Sequence, residues 1–184
     1  MTGLWQLPVS ARIGGREYPI HADFRDILEV FSYLEDPDLP EYLRWQIAVA
    51  LFYEGQIPQQ HYPQALEYLV DFIGCGQQGE KPGPKLIDWQ TDAMAIVSDI
   101  NRVAGMEIRS LPFVHWWTFM AWFHGIGEGQ LSAIVSIRDK LRRGKKLEDW
   151  ERDFYRENKH RVDMKKRYSR EELEAQARIE ALLS

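Results

Sequence analysis

The chain of 184 residues has one cysteine, Cys75, so no disulfide can form within it, and no residues around Cys75 have the spacing of a structural zinc site. It also lacks the basic region and apolar run of a secretion signal: Met1 to Pro8 reads Met-Thr-Gly-Leu-Trp-Gln-Leu-Pro. Its most apolar stretch, Leu111 to Ile126, is broken by Pro112, His115, His124 and Gly125 and is too short to span a bilayer. No period of about 20 to 50 residues repeats, and no low-complexity tract is present. These absences argue against an exported, membrane-spanning or solenoid protein and favour a cytoplasmic setting.

What is there is ordinary in amount and unusual in distribution. Hydrophobic residues make up 45% and charged residues 28%, so most of the chain should bury a core. Aromatics reach 12%, with seven Trp, which implies a ring-rich core or a contact surface that uses rings. The net charge of −5 divides unevenly at Ser136. Residues 1–135 carry 8 Lys and Arg against 17 Asp and Glu, a net of −9, and residues 136–184 carry 15 against 11, a net of +4. The expected organisation is a helical body over residues 1–144 and a charged helical arm over residues 145–184.

Val9 to Ile13 and Arg16 to Ile20 flank Gly14-Gly15, which predicts a small hairpin because Gly accepts the positive φ of a two-residue turn. Asp23 is placed to cap a helix whose apolar residues Phe24, Ile27, Leu28, Phe31 and Leu34 recur at helical spacing. A second helix is read from Glu41 towards Gly55, and a third from Pro63 to Gly74. Gln77 to Pro84 has no apolar residue and four Gly or Pro, so a mobile loop is expected there. Asp88 is read as the cap of a fourth helix ending at Gly105, Pro112 as the start of a fifth running to Gly125, and Gln130 to Arg143 as a sixth. A short helix over about Leu147 to Tyr155 should follow. Asn158 to Tyr168 has few apolar residues and is expected not to hold itself to a core. Ser169 and Glu172 fit a capping box opening a terminal helix with a thin apolar stripe.

No constellation carries catalysis. His115 and His124 are nine apart, roughly 13 Å along a helix, and cannot share a metal locally. Gly125-Ile126-Gly127-Glu128-Gly129 is rich in Gly but has no following Lys-Ser/Thr and follows a helix rather than a strand, so it reads as a turn. Carboxylate pairs such as Glu148-Asp149 and Glu171-Glu172 lie in solvated, charge-dense segments that cannot tune a pKa by desolvation. The chain is therefore read as non-catalytic, with no cofactor and no metal. His115 to Phe123 is apolar nearly all round, the mark of a buried central helix; an exposed aromatic patch is the other reading. The basic end could be a nucleic-acid footprint, against which its 11 acidic residues stand.

Several segments together resemble a known family: Ile87-Asp88-Trp89-Gln90-Thr91-Asp92-Ala93 with Ile96, Leu111-Pro112-Phe113-Val114-His115-Trp116-Trp117-Thr118-Phe119, and Gly125-Ile126 followed by Leu131 to Arg138. Asp23-Phe24-Arg25 and Asp71 to Gly76 add to the likeness, which covers roughly residues 15–140. The family is that of small proteins of long-tailed bacteriophages known as gene product fifteen, encoded shortly before the tape-measure gene. The resemblance implies a tail assembly chaperone in the host bacterial cytoplasm, one that binds the tape-measure protein, keeps it soluble and helps recruit tail-tube protein. A structural tail-completion component of the virion is the alternative, and a nucleic-acid-binding regulator the weaker one. The fold expected is mainly α, a compact helical domain with a small N-terminal β-hairpin and a charged C-terminal helical extension. Trp117 and Trp122 are the candidate partner-facing residues if the aromatic segment is exposed, and otherwise the arm with Tyr168 and Leu173; the same terminal helix could serve a homo-oligomer.

Overall fold

A computed structural model describes residues 5–77, 83–164 and 167–183. It is mainly helical, as its residue pattern predicts. The elements are β1 (Ser10–Ile13), β2 (Arg16–Pro19), α1 (Phe24–Leu34), α2 (Glu41–Phe52), α3 (Tyr62–Ile73), α4 (Ala93–Ala104), α5 (Trp116–His124), α6 (Gln130–Arg142), α7 (Asp149–Val162) and α8 (Arg170–Leu183). The loop expected over Gln77 to Pro84 falls largely on residues 78–82, which lie outside the described residues.

The chain divides into two compact units, Met1–Gln78 with Lys166–Ser184, and Gly79–Lys165. The stretch read as a charged arm is shared between them: α7 belongs to the second unit and α8 to the first.

In the first unit, β1 and β2 pair antiparallel from Ser10 opposite Pro19 to Ile13 opposite Arg16. Gly14 and Gly15 close the turn at φ of +57° and +82°. A side chain at Gly14 would also collide with the His61 ring, 2.5 Å from the position a Cβ would take. Tyr53 bridges Ile20 on the other side of β2, and the Glu54 amide donates to the Pro19 carbonyl at 2.9 Å. The outer edge of β1 is covered by α3: the Tyr68 hydroxyl donates to the Ser10 carbonyl at 3.0 Å and the Gln64 amide to the Arg12 carbonyl at 3.3 Å. Asp23 caps α1, its carboxylate accepting from the Arg25 amide at 2.9 Å. Ile27, Phe52, Leu69 and Phe72 are fully buried and form the core between hairpin and helices. The approach to α8 is tied down by Arg167 to Glu35 at 3.4 Å, and its first residue by the Arg170 amide, which donates to the Asp38 carboxylate at 2.6 Å. Ser169 and Glu172 make the expected capping box.

The second unit departs from the sequence reading in three places. Asp88 caps a tight turn instead of a helix, accepting from the amides of Gln90 and Thr91, and α4 begins only at Ala93. Pro112 does not open α5; His115 is the N-cap, its Nδ1 accepting from the Trp117 amide at 3.0 Å. Val114 and Phe119, both buried, stand at the positions of a hydrophobic staple around that cap. Finally, α7 runs to Val162, which is 1% exposed, so this basic stretch does reach a core. It does so across a kink at Asn158, whose side-chain amide donates to the Phe154 carbonyl at 3.0 Å.

Candidate functional site

The residues that make this sequence distinctive meet inside the second unit. Arg138, on α6, is 6% exposed, and Asp92, just before α4, is 2% exposed. Their pairing is bidentate, Nη1 to Oδ2 at 2.6 Å and Nη2 to Oδ1 at 2.9 Å. The same guanidinium donates from Nη1 to the Leu86 carbonyl at 2.8 Å, from Nη2 to the Arg161 carbonyl at 2.8 Å and from Nε to the Val162 carbonyl at 2.7 Å. A guanidinium has five N–H donors, and these contacts use five. Asp92 Oδ2 also accepts from the Asp88 amide at 2.9 Å, so turn, helix and the end of α7 are fastened at one point.

A ring cluster lies over the same turn. Trp89 meets Trp116, Phe119 and Phe123 at centroid distances of 6.0, 6.2 and 5.2 Å, and Trp116 stacks on Phe119 at 5.5 Å. The aromatic excess is therefore partly core, as the helical spacing implies.

A second buried carboxylate serves α6. Gly129, its N-cap, has no side chain to offer, and Asp99 on α4 supplies the missing acceptor, taking the Leu131 amide at 2.9 Å. A Cβ at Gly129 would lie 2.5 Å from that carboxylate, so glycine is required by closeness of approach. On the other side of α6, Glu151 of α7 is 1% exposed and accepts from Lys140 Nζ at 2.7 Å and from the Glu148 amide at 2.8 Å. Lys140, then the Glu148 amide, hold its carboxyl below the usual range against the opposing effect of burial.

The charged interior is thus structural. Burial pushes the Cys75 thiol up to about 11, which keeps it protonated at neutral pH. Among the described residues no group of three or more His, Cys, Asp or Glu is placed to hold a metal, and no helix is long and apolar enough to cross a membrane.

Surfaces are where partners could bind. Trp117 and Trp122 are half-buried on α5, five residues and therefore about 140° apart around the helix, so they face different ways. Tyr168 and Leu173 are exposed in the first unit, where every described side chain from Arg170 to Arg178 on α8 is also exposed. The structure thus places two of the four candidates on each unit, and within the second unit Trp117 and Trp122 do not share a helix face. Exposed apolar groups that the sequence reading did not single out include Met94, Met106, Phe113 and Trp150 in the second unit. Phe113 stands outside α5, two residues before the His115 cap, whereas the sequence reading places it inside the helix. The first unit has an uncharged cleft against α2, floored by Val49, Tyr53 and Ile57, that no sequence motif announces.

A family model described as Bacteriophage Gp15 protein matches residues 5–164. The chain belongs to that family. The match includes the Asp92–Arg138 clamp and its ring cluster and extends beyond residues 15–140, where the likeness was read, to take in all of α7. Membership makes the Gp15-family chain a phage protein of the structural or morphogenesis class. No curated protein matches it, and no solved structure does.

Proposed function

We propose that this Gp15-family protein is a non-catalytic tail assembly chaperone that binds the tape-measure protein in the host cytoplasm and promotes assembly of the tail tube. The observation that carries the reading is the contrast within the second unit. Its buried ionic groups are consumed in internal clamps, while Met94, Met106, Phe113 and Trp150 stand exposed and Trp117 and Trp122 are half-exposed. Large apolar side chains on the surface of a well-packed frame offer contacts that an apolar partner can cover. Flexible Met and flat rings suit a long helical partner whose contacts vary along its length.

Co-expression with the tape-measure protein of the same genome tests this. The soluble fraction of the tape-measure protein should rise with the partner present and fall back when Trp117 and Trp122 are both changed to Ala. An unchanged soluble fraction would remove the chaperone reading. Recovery of the chain in fixed copy number from purified particles would replace it with a tail-completion role.

A further inference from the structure

Residues 140–146 read Lys-Leu-Arg-Arg-Gly-Lys-Lys, five basic groups in seven with no acid among them. The run begins in the last turn of α6, where the negative end of the helix dipole favours it. Gly144, at φ of +64°, then turns the chain outward, and the Lys145 amide donates to the Lys140 carbonyl at 2.8 Å. Internal partners absorb only part of this charge. Lys140 is spent on Glu151 at 2.7 Å, and Arg142 and Arg143 share the one carboxylate of Asp139 at 2.8 Å each. Among the described residues Lys145 and Lys146 have no ion-pair partner.

Lys146 lines an open groove of about 550 Å³ between this turn and α7. Leu141, which is 39% exposed, and the half-buried Leu147 and Tyr155 give the groove an apolar lining, because the Tyr155 hydroxyl is committed to the Asp163 carboxylate at 2.8 Å. Arg152 and Arg156 complete its basic lining, four residues and so about 6 Å apart along α7. Both arginines are more than half exposed, and their ion pairs are with Asp149 and Asp153 on their own helix. Pairs of that kind are weakened by water and salt, and an incoming carboxylate can exchange with them.

Apolar lining bordered by cations one helical turn apart fits an amphipathic helix with carboxylates four residues apart beside a Leu-sized side chain. It fits a nucleic-acid strand poorly. Asp153 lines the same groove, with Asp149 and Glu157 one turn either side of it on α7, and evenly spaced phosphates would meet those carboxylates. A helix places its own acids at separate points and can avoid them.

We propose that the groove between the end of α6 and α7 is a docking site for an acidic amphipathic helix of a partner protein. The helix rests an apolar residue on Leu141, Leu147 and the Tyr155 ring, and its carboxylates answer Lys146, Arg152 and Arg156. The proposal sets the chemistry of a partner and does not rest on tape-measure binding, for which other side chains were invoked.

The test is fluorescence anisotropy of a labelled peptide of about four helical turns, with Leu at every third or fourth position and Glu on either side, titrated with the full chain at about 50 mM salt. The peptide should bind. Lys146→Glu and Arg156→Glu should each weaken binding by about tenfold, whereas Arg12→Glu, the same charge reversal at an exposed site of the first unit, should change it by less than about twofold. Replacing the peptide's Leu by Ser should also cost about tenfold. Absence of binding overturns the proposal, as does an equal loss in Arg12→Glu, which would mean attraction to diffuse charge. A Ser peptide that binds as tightly as the Leu peptide overturns the apolar contact and with it the site. Tighter binding of single-stranded DNA that Lys146→Glu abolishes would give the groove to nucleic acid, and self-association abolished by Lys146→Glu would give it to a second copy. Lys146 and Arg156 are exposed, and far-ultraviolet circular dichroism verifies that both variants keep the fold.

Discussion

Arg138→Met is the most informative single change in the fold. It keeps much of the side-chain volume and removes five hydrogen bonds, two of them to Asp92 and three to the carbonyls of Leu86, Arg161 and Val162. Asp92 would be left at 2% exposure with the Asp88 amide as its donor. Removing one partner of a buried pair costs about 3–5 kcal/mol, because the other charge stays desolvated. That is a large share of the roughly 5–15 kcal/mol that holds a typical protein folded. Arg138→Lys keeps the charge without the planar fork and has at most three donors, so it should lose nearly as much, about 2–4 kcal/mol. The double change Asp92→Leu with Arg138→Met should recover part of the loss, since no charge is then stranded. Urea unfolding followed by Trp fluorescence reads all three, as the Trp89–Trp116 cluster lies in the same unit. If Arg138→Met unfolds within about 1 kcal/mol of wild type, the clamp is not what holds turn, α6 and α7 together.

Other consequences are more local. Gly129→Ala forces a methyl against the Asp99 carboxylate and should destabilise by about 1–3 kcal/mol in the same urea assay, whereas Gly127→Ala, with open space around it, should cost under about 1 kcal/mol. Glu151 has its carboxyl lowered chiefly by Lys140, so its contribution is complete above its ordinary value of 4.5 and is lost as pH falls through the lowered value. Glu151→Gln should therefore flatten the fall in stability below about pH 4.5, read as melting temperature against pH. Cys75, pushed up to about 11 by burial, should react with iodoacetamide at pH 8 at least about ten times more slowly than free cysteine, and unfolding in urea should remove the difference.

Much of the fold was legible because its signals are local. The Gly14-Gly15 turn, the Asp23 cap and the Ser169–Glu172 box each depend on residues within a few positions of one another. The misreadings occurred where a distant partner decides. Asp88 looks like a helix cap, and it does cap backbone amides, but Asp92 engaged to Arg138 delays the helix until Ala93. The basic run after Asn158 looked unable to reach a core because only Val162, Met164 and Tyr168 are there to bury; the carbonyls of Arg161 and Val162 are what Arg138 grips, and no hydropathy pattern carries backbone acceptors. Among the candidate contact residues, helical spacing identified the ring-rich segment but not the exposure of individual rings, which depends on elements packed from elsewhere. The cleft of the first unit is invisible for the same reason, being assembled from α2 and the chain that follows it.

The covering of β1 by α3 has a bearing on how this protein can be recognised. An open strand edge invites any extended chain to pair with it, with little regard to side chains, and a crowded assembly intermediate is a dangerous place for such indiscriminate pairing. Tyr68 and Gln64 occupy the carbonyls of Ser10 and Arg12 that would template it. Opening that edge with Tyr68→Phe and Gln64→Ala would turn a hairpin that refuses strangers into one that accepts them, and aggregation on storage, rather than lost stability, would be its symptom.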